Sequence, residues 1–102
     1  MPVTINTDER EVTALLEGEI DHCTAKGMRQ AIDAAVIRIK PQCLYLDFSR
    51  VVFMDSSGIG LIMGRHRLLS ETGGRVEIRN VPQNLMKMMR IAGLGRLGIK
   101  GI

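Results

Sequence analysis

The run Cys43-Leu44-Tyr45-Leu46-Asp47-Phe48, followed after six residues by Asp55-Ser56-Ser57-Gly58, decides the architecture. The first group is compact and mostly apolar, with Asp47 near its end, which is the pattern of a strand covered on much of both faces. Such a strand belongs in the middle of a sheet. The second group consists of residues whose side-chain oxygens accept hydrogen bonds from the free N–H groups at the start of a helix. A central strand leading into a capped helix is half of a parallel crossover unit.

On the N-terminal side, Val3–Asn6 and Val12–Glu17 are short β-prone runs separated by the charged turn Thr7–Glu11, the pattern of an opening hairpin. Gly18 is expected to end the second strand. From Thr24 to about Ile39, the residues Met28, Ala31, Ile32, Ala35, Val36 and Ile39 recur at intervals of three and four, and Pro41 stops the helix they define. On the C-terminal side, a second helical pattern runs from Gly58 to about Thr72 and closes at Gly73-Gly74. Val76–Arg79 reads as a strand. Pro82 opens a third helix through Leu85, Met88, Met89 and Ala92, with Gly93 beyond its end. Leu97–Lys100 is expected to add a short final edge strand. The reading is therefore one α/β domain over residues 1–102, a mixed sheet with crossover helices in the order β-β-α-β-α-β-α. In such folds, recognition sits on loops after the carboxyl ends of strands, where Asp55–Gly60 falls.

Composition narrows the function classes. A chain of 102 residues has room for one modest core, and with aromatics at 3% that core is aliphatic. No window holds about twenty apolar residues without Arg, Lys, Asp or Glu, and the polar start lacks the apolar stretch of a signal peptide, so a cytoplasmic protein is expected. Cys23 and Cys43 then read as inert thiols, and with His22 and His66 they match no metal spacing. Residues 1–51 carry six Lys or Arg against eight Asp or Glu, whereas residues 52–102 carry eight against three. The basic half has no concentrated basic run, recognition-helix motif or stacking aromatics, so nucleic acid fits poorly. An acidic protein partner, steered by charge, fits better.

Asp55, Ser56 and Ser57 offer more capping oxygens than one helix end requires. Gly58, Gly60 and Gly64 lie inside the helical pattern, where each costs roughly 0.8–1.0 kcal/mol relative to Ala. Gly60 and Gly64 share a face, which serves either tight packing on the chain's own sheet or the approach of a partner. Ile59, Ile62, Met63, His66 and Leu69 form one stripe; Leu61 and Leu68 lie off it, either as docking surface or under a neighbouring helix. Met86, Met88 and Met89 suit either core filling or an adaptable interface rim. Enzymatic readings fit poorly. There is no Gly-x-Ser-x-Gly elbow and nothing singles out His22 or His66 as a base, while Gly58-Ile59-Gly60 and Gly64 are out of register with a dinucleotide fingerprint and lack a P-loop Lys.

Gly18-Glu19-Ile20-Asp21, the block Met54-Asp55-Ser56-Ser57-Gly58-Ile59-Gly60-Leu61-Ile62-Met63-Gly64-Arg65, and Gly73-Gly74 before a strand together resemble the STAS-domain anti-sigma factor antagonists, most closely the sporulation branch that antagonises the anti-sigma F factor. The likeness spans roughly residues 3–97. It implies a STAS-type sheet and a non-enzymatic regulator without cofactor. Its expected partners are an anti-sigma factor serine kinase and a resetting phosphatase, with neither nucleic acid nor membrane. It further implies that Ser56 is the phosphoacceptor, and that Asp21, Asp55, Ser57, Gly58, Ile59, Gly60 and Leu61 border the partner surface. Relatives continue into a further C-terminal helix, a pattern from which the Gly-rich segment 93–101 departs. Two other classes remain open on the residues alone: a small-ligand or nucleotide-binding module using the same helix N-terminus, and a scaffold subunit of a signalling assembly.

Overall fold

The computed structural model describes residues 2–102. Val3–Asp8 (β1) and Glu11–Ile20 (β2) form the opening hairpin, in antiparallel register from Val3 opposite Leu16 to Asp8 opposite Glu11. The turn is tighter than its charged sequence suggests: only Glu9 and Arg10 lie outside the strands, and Glu9 takes a left-handed φ of 48°. Cys43–Met54 (β3) runs parallel to β2, and Arg75–Arg79 (β4) runs parallel to β3, so the sheet order is β1-β2-β3-β4 with β3 inside it. His22–Ile39 (α1), Ser56–Ser70 (α2) and Gln83–Ile91 (α3) follow the second, third and fourth strands.

Alternation along the strands builds the core. Val12, Ala14 and Leu16 of β2, Leu44, Leu46 and Phe48 of β3, and Val76 and Ile78 of β4 point to one face. They pack with Met28, Ile32 and Val36 of α1, Ile62 and Leu69 of α2, and Leu85 and Met89 of α3. On the opposite face Tyr45 is buried by polar neighbours. The Arg79 guanidinium lies 3.5 Å from its ring centroid, and its hydroxyl donates a 2.7 Å hydrogen bond to Glu11 Oε2. This bond to a carboxylate, with a contribution from Cys43 and from burial, pushes the Tyr45 phenol up to about 12.

Boundaries differ from the sequence reading at several elements, four of them with a readable cause. β2 does not end at Gly18; the glycine adopts φ +81° within an irregular stretch of the ladder, and pairing continues to Ile20 opposite Met54. β3 extends past Phe48 for the same reason, since its second half stays paired with β2 although Ser49 and Arg50 are exposed. α1 starts at His22 rather than Thr24, because Asp21 takes the cap and Thr24 becomes the third helical residue of a capping box. The final edge element is reduced to a 3₁₀ turn at Leu94–Leu97 and a single parallel bridge between Lys100 and Glu77. Gly101 explains how the chain lies so close to β4: an added Cβ there would strike the Ile78 backbone.

Candidate partner-docking and phosphoacceptor site

Two parallel strands deliver two helix N-termini to one end of the sheet. Ile20 pairs with Met54, and the Asp55 amide donates to the Ile20 carbonyl at 3.1 Å, so the exits of β2 and β3 are tied together. Each exit residue is an aspartate that caps the helix behind it. Asp21 Oδ1 accepts from the Cys23 and Thr24 amides at 2.9 Å each, while the Thr24 hydroxyl oxygen accepts from the Asp21 amide at 2.9 Å. Asp55, in extended conformation, accepts from the Ser57 amide at 2.7 Å. Hydrogen bonding, led by the Thr24 amide, holds the Asp21 carboxyl below the ordinary carboxylate range.

Ser56 is the first residue of α2 and is exposed. Its neighbour Ser57 is half-buried with its amide committed to Asp55, so the two serines are not equivalent. Ser56, Gly60, Met63 and Arg67 follow one another at helical spacing and are all exposed, forming the solvent face of α2. Just before the helix, Val52 is 74% exposed and Phe53 49%. They form an exposed apolar stretch at the strand end that leads into Ser56, which the sequence reading missed. A signal for it existed: a strand with one buried face cannot hide all of Val51-Val52-Phe53-Met54, and the structure buries Val51 and Met54 only.

The buried stripe of α2 is Gly58, Leu61, Ile62, Arg65 and Leu69. Of the two readings open for Leu61, docking surface or cover within the fold, the structure supports cover, since it is 4% exposed and packed in the core, whereas Met63, expected to be buried, is 43% exposed. The helix is rotated relative to the apolar pattern because Arg65 turns inward and its Nε lies 2.9 Å from Asp33 Oδ1 on α1. The glycines also divide. A Cβ on Gly58 would collide with the buried Met54 side chain, so this glycine serves internal packing. At Gly60 and Gly64 a Cβ would meet nothing within 4 Å, which overturns packing on the chain's own sheet as their explanation. Ile59 is half-buried against the core.

A mixed four-stranded sheet whose second and third strands each end in an aspartate-capped helix, with an exposed serine opening the second of these helices, is the arrangement of a STAS domain. The family model described as "Mlab, STAS domain" matches residues 3–99, and the chain belongs to this family. Its relatives include anti-sigma factor antagonists. It is 33% identical over 82 residues to the anti-sigma F factor antagonist of Paenibacillus polymyxa, covering 80% of this chain and 70% of that protein. It is 28% identical over 97 residues to the anti-sigma-B factor antagonist of Bacillus subtilis, covering 90% and 83%. Among solved structures, it is similar to the anti-sigma factor antagonist SpoIIAA in its unphosphorylated form, with a TM-score of 0.83 and 31% identity over 93% of this chain and 84% of that one. The phosphorylated form of Bacillus SpoIIAA gives 0.75 at 31% identity, covering 93% and 86%.

Proposed function

We propose that this chain, unmodified, binds an anti-sigma factor serine kinase and so frees a sigma factor, and that phosphorylation of Ser56 switches it off until a phosphatase resets it. The observation that carries the reading is the exposed Ser56 on the first turn of α2, at the end of the sheet where two capped helices begin and just after the exposed strand-end residues Val52 and Phe53. The existence of SpoIIAA in phosphorylated and unphosphorylated forms supports it.

The chemistry asks little of this protein. The kinase supplies nucleotide, metal and the base that takes the hydroxyl proton; the γ-phosphoryl passes from ATP to Ser56 Oγ and ADP leaves. This chain contributes a hydroxyl on a turn stiffened by the Asp55 cap. A phosphate at a helix N-terminus is compatible with the helix dipole, so the fold tolerates it. The interface does not. The modification adds about −1.5 to −2 charge to a surface that must lose water on docking, alongside the Asp21 and Asp55 carboxylates. Pull-downs with the kinase test the switch: Ser56→Ala is retained persistently and Ser56→Asp weakly. Equal retention of the two variants contradicts it.

A further inference from the structure

We infer that the groove between α1 and α2 is a second docking element that receives an acidic segment of the same partner protein. This rests on the partner reading above and extends it to a surface that does not include Ser56. The groove has a volume of about 480 Å³, and its lining includes Gly60 and Gly64 of α2 opposite Ala25, Lys26 and Arg29 of α1, with Arg65. Two observations point to an acidic occupant and a third to room for its backbone.

The first is charge. Lys26 and Arg29 are exposed, and neither takes part in an ion pair among the described residues. The second is the guanidinium at the back of the groove. Arg65 is 6% exposed and reaches Asp33 at 2.9 Å, yet its Nε makes no aligned hydrogen bond. Burial lowers its proton affinity, and Asp33 opposes this while nearby Arg29 adds to it. Arg65 thus has Asp33 as its ion-pair partner while Arg29 has none among the described residues, so an incoming carboxylate would meet an unpaired guanidinium. The third is the pair of glycines. Gly60 and Gly64 weaken the helix, and nothing in the chain needs the space above them. Two glycines without side chains let another backbone come close beside Lys26 and Arg29. Gly60 also lies on the same helix face as Ser56, so the groove is continuous with the proposed switch surface.

The test is equilibrium and kinetic binding of the full chain to the anti-sigma factor kinase of the same genome, at low and physiological salt. The variants are Gly60→Ala/Gly64→Ala, Lys26→Glu/Arg29→Glu and Ser56→Asp, with a thermal melt of each. The glycine variant is expected to melt higher than wild type and to bind at least tenfold more weakly. The charge reversal should keep its melt, lose at least tenfold in association rate at low salt and flatten the salt dependence. If both groove variants bind within twofold of wild type while Ser56→Asp loses binding, the groove inference is overturned and the Ser56 reading stands. A lower melt for the glycine variant also overturns it, by returning the glycines to internal packing. No binding by wild type removes both readings. ATP or inorganic phosphate binding to the chain alone, abolished by Lys26→Glu/Arg29→Glu, would assign the groove to a phosphate ligand instead.

Discussion

Residue by residue, α2 separates what its own packing requires from what remains for a partner. Gly58→Ala sets a methyl group against the buried Met54 side chain. Overpacking of about 1–3 kcal/mol outweighs the gain of about 1 kcal/mol in helix propensity, so the urea midpoint should fall. Asp55→Ala removes the acceptor of the Ser57 amide and should cost about 1 kcal/mol by the same measurement, as loss of an N-cap does. Phe53→Ser should cost about 1 kcal/mol of stability, because the ring is only half exposed, and should also weaken kinase binding by the folded protein in a titration by more than about 1 kcal/mol. The capping types at Asp55, Ser56 and Ser57 were legible from side-chain chemistry alone. The fates of Leu61 and Met63 were not. Apolar spacing cannot register that a charged residue, Arg65, would take an inward position by pairing with Asp33 on another helix.

At the level of elements, the hairpin, the three helices and the central strand were all legible because each carries its own period and its own stop residue. Strand ends were not, since continued pairing of β3 with β2 depends on a partner strand more than twenty residues away in sequence. Gly18 misleads for a related reason: a glycine that breaks an isolated strand can absorb an irregularity inside a paired one. Pairing across elements also yields a titration. Tyr45 is the single tyrosine, so absorbance reports it directly, and its midpoint should lie near 12 and fall in Glu11→Gln. The folded value exceeds the unfolded one of about 10. Its stabilising contribution is therefore intact below about pH 10 and is lost as pH rises toward 12. Between α1 and α2, Asp33→Ala strands the buried Arg65 charge. It should cost about 2–3 kcal/mol, less than a fully buried pair because Asp33 keeps some exposure.

For the whole molecule, one capping carboxylate of the site, Asp21, and a second on β3, Asp47, set an acid limit. Asp21 is held low chiefly by the Thr24 amide. At Asp47 burial pushes upward but is outweighed by hydrogen bonds from Ser49 and Asn80, and the carboxyl is again lowered. Both folded values lie below the unfolded reference of about 3.9, so their stabilisation is complete above that pH and is lost as pH falls below it through the lower folded values. Urea midpoints should be level between pH 7 and 5 and decline below about pH 4, less steeply in Asp21→Asn/Asp47→Asn. The same architecture brings the β2 and β3 exits together, so the capped ends and the exposed serine form one surface that no single stretch of sequence contains. Intact-mass analysis after incubation with the kinase of the same genome and ATP tests the central claim most directly, with the modified residue then mapped. One phosphoryl group on Ser56, absent from Ser56→Ala, is the predicted result; an unmodified chain, or a phosphoryl group on Ser57 or elsewhere, contradicts it.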